Sequence, residues 1–321
     1  MPPFAAFLLK RLGRALLTMW FAITVTFLLL RLLPGDPAVA VASTNMDASM
    51  RQQLLKQYGL TQPLFTQYLK YLGQLLQGNL GESFTQSQPV SDVLMSRLPW
   101  TLLLTGSALI LTVLIGVPLG VIAATHSGRA IDRLVQSAGV IGQSLFVPSV
   151  GIFLLFFLGL QLKLLPIGGA YDENAYGLGW YLSVLQHLIL PCISLVLVSL
   201  GSYVLTMRAT LIDSLGEEYC LLAMSKGLSE RKVVWKHALR NALLPTTTLL
   251  GLQLGFMVGG AVLTETIFAY PGVGRAIYEA VTQLDYPVLQ GAFVLLAGTV
   301  VVVNMLTDLA YGLLDARVRT A

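Results

Sequence analysis

Thr101–Ala124 reads TLLLTGSALILTVLIGVPLGVIAA, twenty-four residues without a charged side chain. A helix of about 20 residues crosses the roughly 30 Å of bilayer hydrocarbon, so this block is expected to span a membrane. Working outward, five more apolar blocks lie at about 13–33, 137–160, 184–206, 246–267 and 288–310. The whole chain agrees with them, at 55% hydrophobic and 11% charged residues with a mean hydropathy of +0.73. Soluble domains are about 25% charged, and a water-facing surface cannot be built from this composition. The expected fold is therefore an all-α membrane protein of six transmembrane helices.

Charge placement orients these spans. Segments 1–12, 125–136, 207–245 and 311–321, with Arg14, carry thirteen of the twenty Lys and Arg residues. By the positive-inside rule those segments and both termini are cytoplasmic, in a multi-pass arrangement in the cytoplasmic (inner) membrane. The first block is preceded by Lys10, Arg11 and Arg14 but is longer than the 7–15 apolar residues of a signal peptide, so it reads as an uncleaved span. The net charge of +4 is an orientation signal, and nucleic acid is not an expected partner. Cys192 and Cys220 fall in an apolar block and a charged inner loop, which excludes a disulfide framework. Residues 34–100 form the one sizeable outer segment, where Tyr58-Gly59-Leu60 and Gln67-Tyr68-Leu69-Lys70-Tyr71-Leu72 point to short amphipathic helices packed on the bundle.

Several kinds of chemistry are missing. His126, His187 and His237 never form H-E-x-x-H, no Ser sits in G-x-S-x-G, and no lysine is followed by Ser or Thr as a phosphate-cradling loop requires. No catalytic residue, metal site or cofactor is assigned, and any ATP must be bound by another chain. Within the blocks only Glu265 and Asp308 are acidic, and both lie near span ends, which disfavours an ion-coupled carrier. Pro118, Pro148 and Pro191 lie in or at the ends of spans, where a proline kinks a helix. Gly251, Gly255, Gly259 and Gly260 form a small-residue face suited to close helix contact.

The inner loop 207–245 is the most informative segment. Glu217 and Glu218 suit a helix N-terminus, Gly227 is placed to stop that helix in a left-handed conformation, Ser229 can cap a second helix, and Pro245 fits the first turn of the fifth span. A helix of roughly ten residues is too short to stand alone in water, so it needs the bundle or another protein as support. Ala223 lies four residues before Gly227 and shares a face with Tyr219, where a large substituent would hold the helix off a partner groove.

Ala223, Gly227, Asn241 and Leu244-Pro245 match the "EAA" loop of inner-membrane permease subunits of ABC importers. Glu218-Tyr219, Lys226-Gly227-Leu228-Ser229 and His237-Ala238-Leu239-Arg240-Asn241 resemble its peptide-transport branch. Leu33-Pro34-Gly35-Asp36-Pro37, Gly78-Asn79-Leu80-Gly81, the run Glu265–Arg275 and Asp285-Tyr286-Pro287-Val288 are similar to the same family, which covers dipeptide, oligopeptide, glutathione and nickel permeases. Ala223-Met224-Ser225-Lys226-Gly227 departs from the frequent Ala-Arg-Ala-Lys-Gly, and Asp315-Ala316-Arg317 from Asn-Pro-Arg.

The resemblance implies a type I ABC importer permease fold, with a first part over 1–100 and a five-helix core over 101–321. It implies a heterodimer with a second permease, two cytoplasmic ATPase subunits that bind ATP and Mg, and an extracytoplasmic solute-binding protein. Glu218, Tyr219, Ala223, Lys226, Gly227, Ser229, His237, Asn241 and Pro245 are the residues expected to couple the loop to the ATPase. Gln143, Ser144, Gln253 and Glu265 are candidates for the pathway. The cargo expected is a peptide, with nickel chelates, glutathione or opines as alternatives within the family and an ion-coupled carrier as the alternative outside it.

Overall fold

Backbone groups in hydrocarbon must satisfy one another, which leaves helices as the economical solution for apolar runs of this length. A computed structural model describes residues 3–32, 62–243, 245–246 and 261–314, most of them in helices joined by short irregular segments. Its helices are α1 (Pro3–Leu32), α2 (Leu64–Leu76), α3 (Val90–Thr125), α4 (Ala130–Ser144), α5 (Val147–Leu154), α6 (Leu178–Gly216), α7 (Glu218–Ser225), α8 (Glu230–Val233), α9 (Val273–Thr282) and α10 (Tyr286–Leu314). Wider π-helical turns continue α5 over Leu155–Gln161 and α8 over Val234–Ala238. Residues 239–243 and 261–267 are also helical.

Among the described residues, four helices are long and apolar enough to cross a membrane: Arg11–Arg31, Val90–Thr125, Leu178–Gly216 and Tyr286–Met305. Four of the six expected spans thus stand as single helices. The third expected span, 137–160, does not. It is split into α4 and the helix from Val147, which meet at 98°. Pro148 explains the break: its ring clashes with the carbonyl four residues back and it has no N–H to give, and α4 ends at that residue, Ser144. Leu145 and Phe146 are extended, and Pro148 sits in the first turn of α5 rather than kinking a continuous helix. Most of the fifth block, with Gly251, Gly255, Gly259, Gly260 and Gln253, lies outside the described residues, as do Leu33-Pro34-Gly35-Asp36-Pro37 and Tyr58-Gly59-Leu60.

The chain divides into two compact units, one drawing on Leu102–Tyr270 and the other on Phe7–Thr101 with Pro271–Val301. In the first, glycines set the helix spacing. A Cβ on Gly116 would lie 2.9 Å from Tyr203 Cβ, and one on Gly120 would lie 2.6 Å from Met207 Cβ, so α3 and α6 cross at backbone distance. A Cβ on Gly142 would meet the Leu197 carbonyl at 2.9 Å, and one on Gly201 would collide with the Gly139 carbonyl, which brings α4 equally close to α6. A buried ion pair fixes the far end of the same contact. Arg208 donates through Nε and Nη2 to the two oxygens of Asp132 at 2.5 and 2.7 Å, and Gln136 and the Gly128 amide complete that carboxylate's shell.

In the second unit, α2 packs on α1 through Phe27, which stacks on Tyr71 and tilts on Tyr68, while Thr24 and Tyr68 share a hydrogen bond. The fully buried Asp285 binds residues 83–85 to the start of α10. Its carboxylate accepts from Ser83 Oγ at 2.5 Å, Thr85 Oγ1 at 2.8 Å and the amides of Phe84 and Thr85, and it caps the Val288 amide. Removing the carboxylate leaves buried donors without acceptors, at about 1–3 kcal/mol each. Asp285→Ala is therefore expected to lower the detergent melting temperature of the purified chain by about 5 °C or more, whereas Asp92→Ala, on the exposed first turn of α3, should shift it little.

Candidate functional site

Four helix stops share one design. At the end of α7 the Gly227 amide bonds the Met224 carbonyl at 2.9 Å and the Leu228 amide bonds the Ala223 carbonyl at 3.3 Å. This pair of bonds with Gly227 at φ +82° is a Schellman stop. Gly78 ends α2 in the same way, at φ +74°, through Gly78 N to Leu75 O and Asn79 N to Gln74 O. Ala269 and Leu284 hold the equivalent positions after 261–267 and α9, at φ +48° and +56°. Space around Gly227 is open, so the constraint on that residue is conformational and a side chain there costs about 1 kcal/mol.

The segment from α7 to residue 243 is built onto the last turns of two long helices. α3 and α6, at 36 and 39 residues, are about 54 and 58 Å long, so both outrun the hydrocarbon and present a platform beyond it. Val121 and Ala124 of α3 and Met207 and Leu211 of α6 form one buried cluster with Cys220, Ala223, Val233, Val234, Ala238 and Ala242. Leu228, just after the stop, packs against the same cluster. Thr210 on α6 donates to the Ala242 carbonyl at 3.0 Å, which ties the far end of this segment to α6. Burial raises the Tyr219 pKa above its ordinary value.

The inward position of Ala223 corrects the expectation that it faces a partner. At 7% exposure, with Cys220 at 0%, it is the small side on which α7 lies against α3 and α6. The face turned away carries Leu221 and Leu222, 53% and 57% exposed, with Met224 beside them. Ser229 stands at the N-cap of α8 as expected, but its hydroxyl makes no capping bond. Its carbonyl instead accepts from the Lys232 and Val233 amides. Glu217 is the N-cap of α7 and Glu218 lies in its first turn, where a negative charge suits the helix dipole. Lys226 is the C-cap residue, His237 lies in the π-helical turn, and Pro245 is exposed in a helical position.

Of the four pathway candidates, Gln253 lies outside the described residues and the other three have the following partners. Gln143 donates to Ser202 Oγ at 3.2 Å, and Ser144 returns its hydroxyl to the Val140 carbonyl. Glu265 is fully buried in the last turn before the Ala269 stop, and its carbonyl accepts from the Tyr270 amide at 2.8 Å. Among the described residues no group of three His, Cys, Asp or Glu could hold a metal ion. Asp132, Arg208 and the glycines at α6 were missed by the sequence reading, although Gly116-x-x-x-Gly120 carries the small-residue spacing in plain view.

A multi-pass helical membrane chain with a short helix held on the ends of two long ones is the class these features define. Residues 116–320 match the family described as "binding-protein-dependent transport system inner membrane component", and residues 4–105 match its N-terminal counterpart. The chain belongs to that family. It is 38% identical to the di/tripeptide transport system permease protein of Pseudomonas aeruginosa and 34% identical to the dipeptide transport system permease protein of Escherichia coli K12, over 98% of each chain. It is 35% identical, over the same share, to the glutathione transport system permease protein of Shigella flexneri. Its fold is also that of an inward-facing MetNI methionine ABC transporter structure, with a TM-score of 0.57, 16% identity and coverage of 70% of this chain and 96% of that one.

Proposed function

We propose that this chain is one of two permeases in an ATP-driven importer of short peptides, and that α7 is the helix through which separate ATPase subunits move it. The observation that carries the reading is the two-sided packing of α7. Its small side is fixed to α3 and α6, and its large apolar side is left bare. A bare Leu pair on an eight-residue helix is an interaction surface rather than a core. A force applied there reaches the spans through the Cys220–Ala223 contact with Met207 and Leu211.

In this reading the Gly227 stop and the packed Leu228 make the loop rigid enough to transmit motion, and Tyr219 and Asn241 belong to the same coupling loop. Glu218, Lys226, Ser229, His237 and Pro245 shape its ends. ATP and Mg bind to the partner ATPases, a second permease completes the pathway, and a solute-binding protein delivers cargo to the outer segment. Residues 1–100 and 101–321 form the two functional parts, and both termini are cytoplasmic. Nucleotide can shift inward and outward states only as far as the docked ATPase contacts them differently. The relatives named for di- and tripeptides, dipeptides and glutathione support a small peptide as cargo.

Uptake of a labelled tripeptide by cells carrying the whole system tests this. Inactivating the phosphate-binding lysines of both ATPases should abolish uptake without changing the amount of this chain in the membrane. Uptake that survives and collapses with a protonophore would instead establish an ion-coupled carrier.

A further inference from the structure

Beyond α7 the helix starting at α8 has a second exposed face with a different chemistry. Arg231, Lys232, Trp235, Lys236 and Arg240 fall at helical spacing on one side, and all five are exposed, with Trp235 at 58%. Val233, Val234, Ala238 and Ala242 occupy the opposite side and are buried on α3 and α6. None of the four cations forms an ion pair among the described residues, although Glu230 lies on the same element. The stripe runs directly into Pro245 and the fifth apolar block.

We propose that this face lies on the headgroups of anionic phospholipid in the cytoplasmic leaflet. The inference rests on the cytoplasmic placement of the loop proposed above. Charge complementarity points to lipid: four unpaired cations just outside a span meet the phosphate layer, and an indole among them matches the amphipathic interface where tryptophan concentrates. The neighbouring α7 face has the opposite character, uncharged and aliphatic at Leu221 and Leu222. One side of the loop thus offers grease to a protein while the next offers cations to the bilayer. Lipid contact would hold α8 at a fixed depth while α7 is pushed.

The chain has four tryptophans, so Trp20→Phe, Trp100→Phe and Trp180→Phe leave Trp235 as sole reporter. The full chain carrying these changes is placed in liposomes of phosphatidylcholine and phosphatidylglycerol, with bromine on one lipid or the other at equal composition. Brominated phosphatidylglycerol should quench Trp235 about twofold or more better than brominated phosphatidylcholine. The preference should vanish in high salt and in the Arg231→Gln, Lys232→Gln, Lys236→Gln, Arg240→Gln variant whose helix content is unchanged. Equal quenching by both lipids, or none by either, overturns the proposal. So does a shift of Trp235 emission on adding the ATPase subunits without any lipid preference, which gives the face to a protein. Labelling of Glu230→Cys from outside intact cells would sink the cytoplasmic placement separately, because both leaflets of the liposome contain the anionic lipid.

Discussion

A Gly201→Leu chain is expected to be nearly absent from membranes. At this position α4 and α6 touch backbone to backbone: an added Cβ would collide with the Gly139 carbonyl and stand 2.9 Å from Gln143 Cγ. Overpacking against flexible side chains costs about 1–3 kcal/mol, and a backbone carbonyl has less room to yield, so the cost here is at least about 3 kcal/mol. Opening the contact also strains the nearby Arg208–Asp132 pair, whose separation would leave a buried carboxylate uncompensated. Gly13→Leu is the control, because nothing lies within 4 Å of a Cβ there. Membrane-fraction immunoblots should show the Gly201 variant lost and the Gly13 variant at the normal level. Equal amounts would mean that the α4–α6 crossing is not as close as the structure places it.

Gly201 also shows where the sequence stops being legible. An uncharged run of twenty residues is a one-dimensional signal, so blocks such as Thr101–Ala124 announce their helices directly. The partner of Gly201 is sixty-two residues away, and no local pattern couples it to Gly139. The break at Ser144 was readable in principle, because Pro148 forbids the bond to that carbonyl, but a hydropathy block has no term for a bend. Gly227 was readable because its constraint is local, a positive φ after a short helix. Asp285 was noted within a motif, yet its partners Ser83 and Thr85 are two hundred residues distant.

Ala223 illustrates the remaining difficulty. α7 is apolar on both sides, so periodicity cannot say which side is buried. Space decides instead: the ends of α3 and α6 leave room for Cys220 and Ala223 but not for Leu221 and Leu222. Two substitutions then separate the roles of the two sides. Ala223→Trp forces an indole into the cluster with Met207 and Leu211, and the chain should lose stability and accumulate poorly. Leu221→Glu with Leu222→Glu changes side chains that are exposed in the chain, so its fold should be unaffected. Binding is another matter. Each leucine buried on a partner is worth about 1.5–3 kcal/mol, and a carboxylate in its place must be desolvated, so affinity for the ATPase should fall by about a hundredfold or more.

Copurification of the ATPase subunits with the Leu221→Glu, Leu222→Glu chain is the most direct measurement of the central claim. The chain should be recovered at the normal level and melting temperature, free of ATPase, with peptide uptake abolished. Recovery of the intact complex with peptide-stimulated ATP hydrolysis would show that the bare face of α7 is not where the motor docks.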